Sequence, residues 1–164
     1  MLGLGSVFAI FPMGQLKRYL KAFLKIAFRH PVTGVTIIPV LADGRIVMIQ
    51  RRDTGEWGFP GGLIDWGEDI LQTTQRELQE ETGLTLTQIE RLVGVYSSPE
   101  RDPRMHSIVI SLVVRAQGSL ETQDTGEILG VQAFAPEALP TGQLSHDHNQ
   151  QLQDFLQSQS VVIR

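Results

Sequence analysis

Glu77, Glu80 and Glu81 stand at i, i+3 and i+4 in the run Arg76-Glu-Leu-Gln-Glu-Glu81. On a helix those offsets put three carboxylates on one face, about 5–6 Å apart at Cβ. Like charges that close repel, so the arrangement makes sense when something strongly positive sits among them. Hard divalent cations take oxygen ligands, and magnesium is usually bound by a few carboxylates plus substrate phosphates. The cluster therefore reads as a cradle for Mg2+ or Mn2+. Such an ion neutralises diphosphate oxygens and lowers the pKa of a bound water. The chemistry implied is hydrolysis of a phosphoanhydride, with a general base assisting. Glu68 lies at the start of the same helix, where the dipole favours an anion, and joins the candidate ligands. Arg76 can pair with neighbouring carboxylates and hold them in place. Gly61-Gly62 allows close approach of backbone to a ligand. A helix with many glutamates is ordinarily a solvated face, but here the acids crowd one side without lysines nearby.

These residues need a scaffold. Leu78 points away from the acids and anchors the helix, which runs from about Asp69 to Glu81 and stops at Gly83. Val35–Leu41 reads as a strand, with Pro39 suggesting an edge or a bulge. Asp43-Gly44 signals a hairpin into a second strand, Arg45–Arg52. Residues 53–67, rich in glycine, read as loop and turn. Ile89–Tyr96, Ser107–Arg115 and Val131–Ala135 read as strands, Pro136–Leu139 as a helical turn, and Asp147–Gln157 as a terminal helix. Central strands with helices around them predict a mixed α/β sandwich. Leu16, Tyr19, Leu20, Phe23, Leu24 and Ala27 fall at helical spacing among basic residues, which predicts an amphipathic helix over 14–28. Residues 1–30 are thus read as a helical extension and 31–164 as the main domain.

Residues 62–84, GLIDWGEDILQTTQRELQEETGL, resemble the signature of the Nudix hydrolases at every fixed position: Gly62, Glu68, Arg76, Glu77, Leu78, Glu80, Glu81, Gly83 and Leu84. The resemblance implies an α/β/α sandwich around a mixed sheet. It implies that the Gly61 carbonyl and the carboxylates of Glu77, Glu80 and Glu81 hold the metal, with Glu77 as ligand or base. A later-loop glutamate takes the base role in some members, and Glu127, in Asp124-Thr-Gly-Glu127, is the candidate here. The stretch Tyr96-Ser-Ser-Pro-Glu-Arg-Asp-Pro-Arg-Met-His106 resembles a loop of the ADP-ribose pyrophosphatases of that family. It nominates Arg101, Arg104 and His106 as substrate contacts, since arginine's planar fork suits phosphate. Arg51 and Arg52 precede the box as candidate phosphate contacts. Trp57 opens a Trp-Gly-Phe-Pro-Gly-Gly lead-in common in the family, as a packing residue or an adenine stacker. The expected activity is conversion of ADP-ribose to AMP and ribose 5-phosphate, with a nucleoside triphosphate pyrophosphohydrolase as the alternative. A Nudix-like sensor that binds without cutting is disfavoured, because every box acid is present. His146 and His148 read as solvent-facing or capping residues.

Composition narrows the field further. The 164 residues are 41% hydrophobic and 20% charged, as in an ordinary globular domain. There is no cysteine, which excludes disulfides, thiolate metal sites and cysteine nucleophiles. The net charge of −4 gives no basic bias toward nucleic acid. No apolar run is long enough to span a bilayer, and the start lacks a secretory pattern. The expectation is a cytoplasmic protein acting on a nucleotide-derived small molecule, without stable membrane insertion, and a homodimer through its apolar N-terminal helix.

Overall fold

Val35 to Val40 are buried without interruption, the pattern of a strand covered on both faces. That strand, β1 (Val32–Val40), pairs in parallel with β5 (Ser107–Gln117) along its whole length, from Val32↔Ser107 to Val40↔Arg115. β5 carries β4 (Thr85–Tyr96) antiparallel, and β4 carries the short β7 (Val162–Ile163) in parallel. On the other side β1 meets β2 (Ile46–Arg51) at the hairpin end, Val40↔Ile46. β2 then pairs antiparallel with β6 (Ile128–Phe134) and with β3 (Trp57–Gly58). The result is a seven-stranded mixed sheet, ordered β3-β2-β1-β5-β4-β7 with β6 on β2. This computed structural model describes Tyr19 and residues 30–102, 105–157 and 160–164. Apart from Tyr19, the amphipathic helix expected over 14–28 lies outside the described residues, as does Arg104. Val32–Arg164 forms one compact unit.

The strand alternation sends side chains to two cores. Ile38, Val40, Met48 and Val113 pack on one face with Phe59 and Leu152. Val35, Ile37, Val47, Leu112 and Val114 pack on the other with Leu78 and Leu84. Helix α1 (Ile70–Thr82) covers the second face through Leu78, and α2 (His148–Gln157) covers the first through Leu152. Two helical layers around a mixed sheet make the α/β architecture. Among the described residues no helix is long and apolar enough to cross a membrane.

Pro39 is not at an edge. It pairs opposite Val114 in the parallel ladder. On the other flank, the N–H groups of Val35 and Ile37 bond the carbonyls of Gly62 and Pro60 at 2.9 and 2.8 Å. Pro39 comes next on that flank, beyond the last of these bonds, where a missing N–H costs nothing. The same flank explains how the glycine loop reaches the sheet. β1 diverges from β2 after the hairpin and takes residues 60–64 as an irregular neighbour, with Ile64 N–H donating to Thr33 O at 2.9 Å. The stretch read as loop over 53–67 also contains β3, which pairs Gln50↔Trp57 and Ile49↔Gly58.

Candidate active site

Helix α1 starts and stops on local signals. Asp69 caps it by accepting from Gln72 N–H at 2.8 Å, and the Gln72 side chain accepts from Asp69 N–H at 2.8 Å. Gly83 ends it at φ 74°, where a Cβ would meet Glu121 O at 2.5 Å. Between these ends Leu78 is fully buried, and its burial fixes the rotation of the helix. Glu77, Glu80 and Glu81 are thereby turned into a cleft of about 470 Å³, shared with Gly61, Gly62, Arg51, Asp124 and Glu127. That volume suits a small organic ligand.

The acids differ in environment. Glu81 is 5% exposed, and burial pushes its carboxyl up to about 8, with the charges of Glu77 and Glu127 adding to the effect. The Gly61 N–H, at 2.7 Å from Glu81 Oε2, works against that rise. Burial also raises the Glu77 carboxyl, against the pull of Arg76 Nη1 at 2.7 Å. Glu80 is half exposed and reaches Arg76 at 3.3 Å. Among the described residues no three acidic or histidine side chains are already gathered as a metal cage. Their present partners are Arg76 and the Gly61 N–H.

The glycine loop is shaped by what surrounds it. Gly61 has φ 153°, and a Cβ there would lie 2.2 Å from Val35 O, a backbone atom in β1 that cannot step aside. A Cβ on Gly62 would lie 2.1 Å from Glu77 Oε1. Two glycines thus let the loop run against both the sheet and the acid helix. Gly61→Ala is expected to cost at least about 2 kcal/mol through backbone strain and clash. Thermal unfolding measures it, and an unchanged melting temperature would count against this geometry.

Arg76, expected to hold the neighbouring carboxylates in place, and Glu68, read as a metal ligand, do not line the cleft. Arg76 Nε and Nη2 bond both Glu68 oxygens at 2.8 and 2.9 Å, and Nη2 bonds Leu63 O at 3.2 Å. The Arg76 guanidinium, with Thr73 Oγ1 second, lowers the Glu68 carboxyl to about 2. Both Glu68 oxygens are thus committed to Arg76, so the pair positions the helix and the Leu63 loop.

Glu127 sits on a loop held from two sides. The Glu80 carbonyl, near the free C-terminal end of α1, accepts from Gln123 N–H at 2.8 Å and Asp124 N–H at 3.1 Å. Asp124 Oδ1 accepts from Gly126 and Glu127 N–H, both at 3.1 Å, in an Asx turn. Arg52, read as a phosphate contact, instead donates from Nε to Thr125 O at 3.0 Å, and its N–H bonds Glu127 O at 2.8 Å. It buttresses this loop and lies outside the cleft lining. Arg51, its neighbour on β2, lines the cleft and pairs with Asp53 at 2.9 Å.

In the later loop Arg101 and His106 have protein partners. Arg101 lines the cleft, but its side chain is 8% exposed and its guanidinium forms a two-pronged pair with Asp147, both bonds 2.9 Å. His106 Nε2 lies 3.1 Å from Ser97 O and is outside the cleft lining. Trp57 packs edge-on against Phe134 at 5.0 Å and also lies outside it. Sequence reasoning missed Asp102, Met105, Asp124, His146 and His148, all of which line the cleft. Asp124 carried a signal in its Asp-Thr-Gly-Glu turn, and the histidines carried none. Burial lowers the pKa of His148, the reverse of a solvent-facing imidazole.

Residues 30–157 match the family model described as the NUDIX domain. The chain is 33% identical over 162 residues to an ADP-ribose pyrophosphatase of Methanocaldococcus jannaschii, spanning 93% of this chain and 92% of that one. The MutT NUDIX hydrolase from Burkholderia pseudomallei superposes with a TM-score of 0.66 at 26% identity, covering 77% of this chain and 98% of that one. The NUDIX domain of Shewanella oneidensis NrtR, solved with ADP ribose, gives 0.67 at 22% identity, covering 85% and 96%. At that identity it speaks for the fold alone. The family match runs from β1 through α2, taking in every element that builds the cleft, and the chain belongs to the Nudix family as a pyrophosphohydrolase.

Proposed function

We propose that the protein hydrolyses ADP-ribose to AMP and ribose 5-phosphate with Mg2+, or Mn2+ in its place. The observation that carries the substrate is the near full-length relation to the Methanocaldococcus jannaschii enzyme of that name. In the reaction one bond forms between a water oxygen and a phosphorus, and the bridging P–O bond breaks.

The cleft suits a hard divalent cation. Its acid wall offers oxygen donors in Glu77, Glu80 and Glu81, and Gly61, whose carbonyl is the further candidate, lines the same cleft. Glu81 is a buried carboxyl whose charged form burial disfavours, and a cation beside it would favour that form. When bound, Mg2+ neutralises diphosphate oxygens and lowers the pKa of a bound water. Glu127 lines the same cleft from a loop braced by Arg52 and by the end of α1, and in this reading it takes the proton from the attacking water. Arg51 supplies positive charge to the same space. Arg76 acts through Glu77 and Glu68, as a positioning residue.

Incubation of a nucleotide panel with Mg2+ tests the reading. Sugar phosphate and AMP from ADP-ribose are expected. Pyrophosphate from a deoxynucleoside triphosphate, with ADP-ribose untouched, would reject it. For the base, Glu127→Gln is expected to lower kcat by roughly 10²–10⁴-fold with little change in melting temperature, as for loss of general-base assistance. A kcat within twofold of wild type would remove Glu127 from the chemistry.

A further inference from the structure

Two histidines line the cleft beside the box acids, and neither belongs to the machinery above. His148 Nδ1 accepts the Phe59 N–H at 3.0 Å. A ring nitrogen that accepts carries no proton, so the proton is on Nε2 and the imidazole is a neutral donor. The ring is held by Phe59, at 5.7 Å between centroids, and its approach depends on Gly58, where a Cβ would lie 2.9 Å from Nδ1. His146 packs edge-on against it at 6.3 Å. Among the described residues His146 is the one non-glycine with positive φ, at 52°. A non-glycine residue held in the left-handed region carries strain that the surroundings must maintain, and such strain gathers at functional positions. Between the two lies Asp147, locked to the nearly buried Arg101, whose Nη1 also bonds Ser107 Oγ. This pair ties the loop after β4 to the start of α2.

We infer that His148, as a neutral Nε2–H donor, and His146 beside it form a substrate-contacting wall of the cleft, with Arg101 and Asp147 as the positioning pair behind them. The ligand is the nucleotide-derived substrate of the proposed reaction, and the inference rests on that reading. A neutral donor suits hydroxyl, carbonyl or phosphoryl oxygens of the moieties flanking the diphosphate. It adds no positive charge to compete with a cation on the acid wall. The expected contribution is to substrate binding, shared by ground and transition states, and so to KM more than to kcat.

Three variants separate this role from a structural one. In His148→Asn the shorter amide keeps an acceptor near the Nδ1 position for Phe59 N–H and removes the Nε2 donor. In His148→Gln an amide reaches the Nε2 position and the Phe59 bond is lost. His146→Gly relieves the left-handed backbone and deletes the ring. With the full chain and Mg2+, His148→Asn and His146→Gly are expected to raise KM about three- to tenfold each, with kcat within twofold and no loss of melting temperature. His148→Gln is expected to melt lower and to keep a KM nearer wild type. The measurement uses whichever panel substrate the wild type turns over fastest. If that is not ADP-ribose, the substrate reading above fails and this test stands. A KM within twofold of wild type in both His148→Asn and His146→Gly overturns the inference, as does a KM that follows melting temperature across the three.

Discussion

Replacement of Glu81 by glutamine is expected to lower turnover by on the order of 10³-fold or more, and at the same time to make the metal-free protein more stable above neutral pH. The first effect follows from removing a charged oxygen from the acid wall at the point where the diphosphate must be neutralised. The second follows from burial. Glu81 is 5% exposed, and its carboxyl stands at about 8 in the folded protein against 4.5 as the ordinary value. The folded state therefore holds this proton more tightly than the unfolded state. Stability contributed by the protonated form is fully present below about 4.5 and is lost as pH rises through about 8. Each unit of such a shift is about 1.4 kcal/mol, so the loss reaches a few kcal/mol. A glutamine removes it, because it cannot ionise and its Oε1 can still accept the Gly61 N–H. Unfolding followed from about pH 5 to about pH 8.5 in EDTA should show a falling wild-type melting temperature and a flatter one for Glu81→Gln. Addition of Mg2+ should flatten the wild-type curve as well. Wild-type turnover in the variant, or a variant that melts lower than wild type at alkaline pH, would refute the role given to this carboxylate.

How much of this was legible in the sequence depended on distance along the chain. The face shared by Glu77, Glu80 and Glu81 follows from helical periodicity, and the stop at Gly83 is local, so both could be read directly. The choice between Arg51 and Arg52 was not readable. Arg51 is the last residue of β2 and Arg52 the first beyond it, and only the long-range contact with the 124–128 loop decides that Arg51 lines the cleft while Arg52 braces the Glu127 loop. Trp57 was ambiguous because Phe134, which covers it, lies far along the chain. His148 meets Phe59 across 89 residues of sequence, so a histidine before a helix looked solvent-facing until the fold brought it to the cleft. Pro39 misled for a physical reason of another kind. The rule that proline marks an edge assumes that its N–H would be needed, and β1 runs past its neighbouring loop at that point.

Removal of Arg76 is expected to cost about 2–4 kcal/mol of stability and roughly 10- to 100-fold in kcat. The side chain touches Glu68, Glu77 and Glu80 at 2.8, 2.7 and 3.3 Å, and is itself 27% exposed. Arg76→Ala leaves Glu77, whose carboxyl burial already raises, without its partner. It also frees the Leu63 carbonyl and so loosens the glycine loop beside the acids. Breaking one side of a buried pair is costly because the remaining charge stays desolvated; the partial exposure here keeps the cost at the lower end. Arg76→Lys should recover only part of either loss, since one ammonium cannot satisfy Glu68 through two nitrogens and Glu77 through a third. The acid side of the stability profile gives an independent check. Glu68, lowered to about 2 by Arg76 and then Thr73, contributes stability that is present above about 4.5 and lost as pH falls toward 2. In Arg76→Ala that dependence should shrink. A double-mutant cycle with Glu68→Gln should show the two losses to be strongly non-additive. Additive losses, or an Arg76→Lys protein indistinguishable from wild type, would mean that the guanidinium does not hold this acid helix in place.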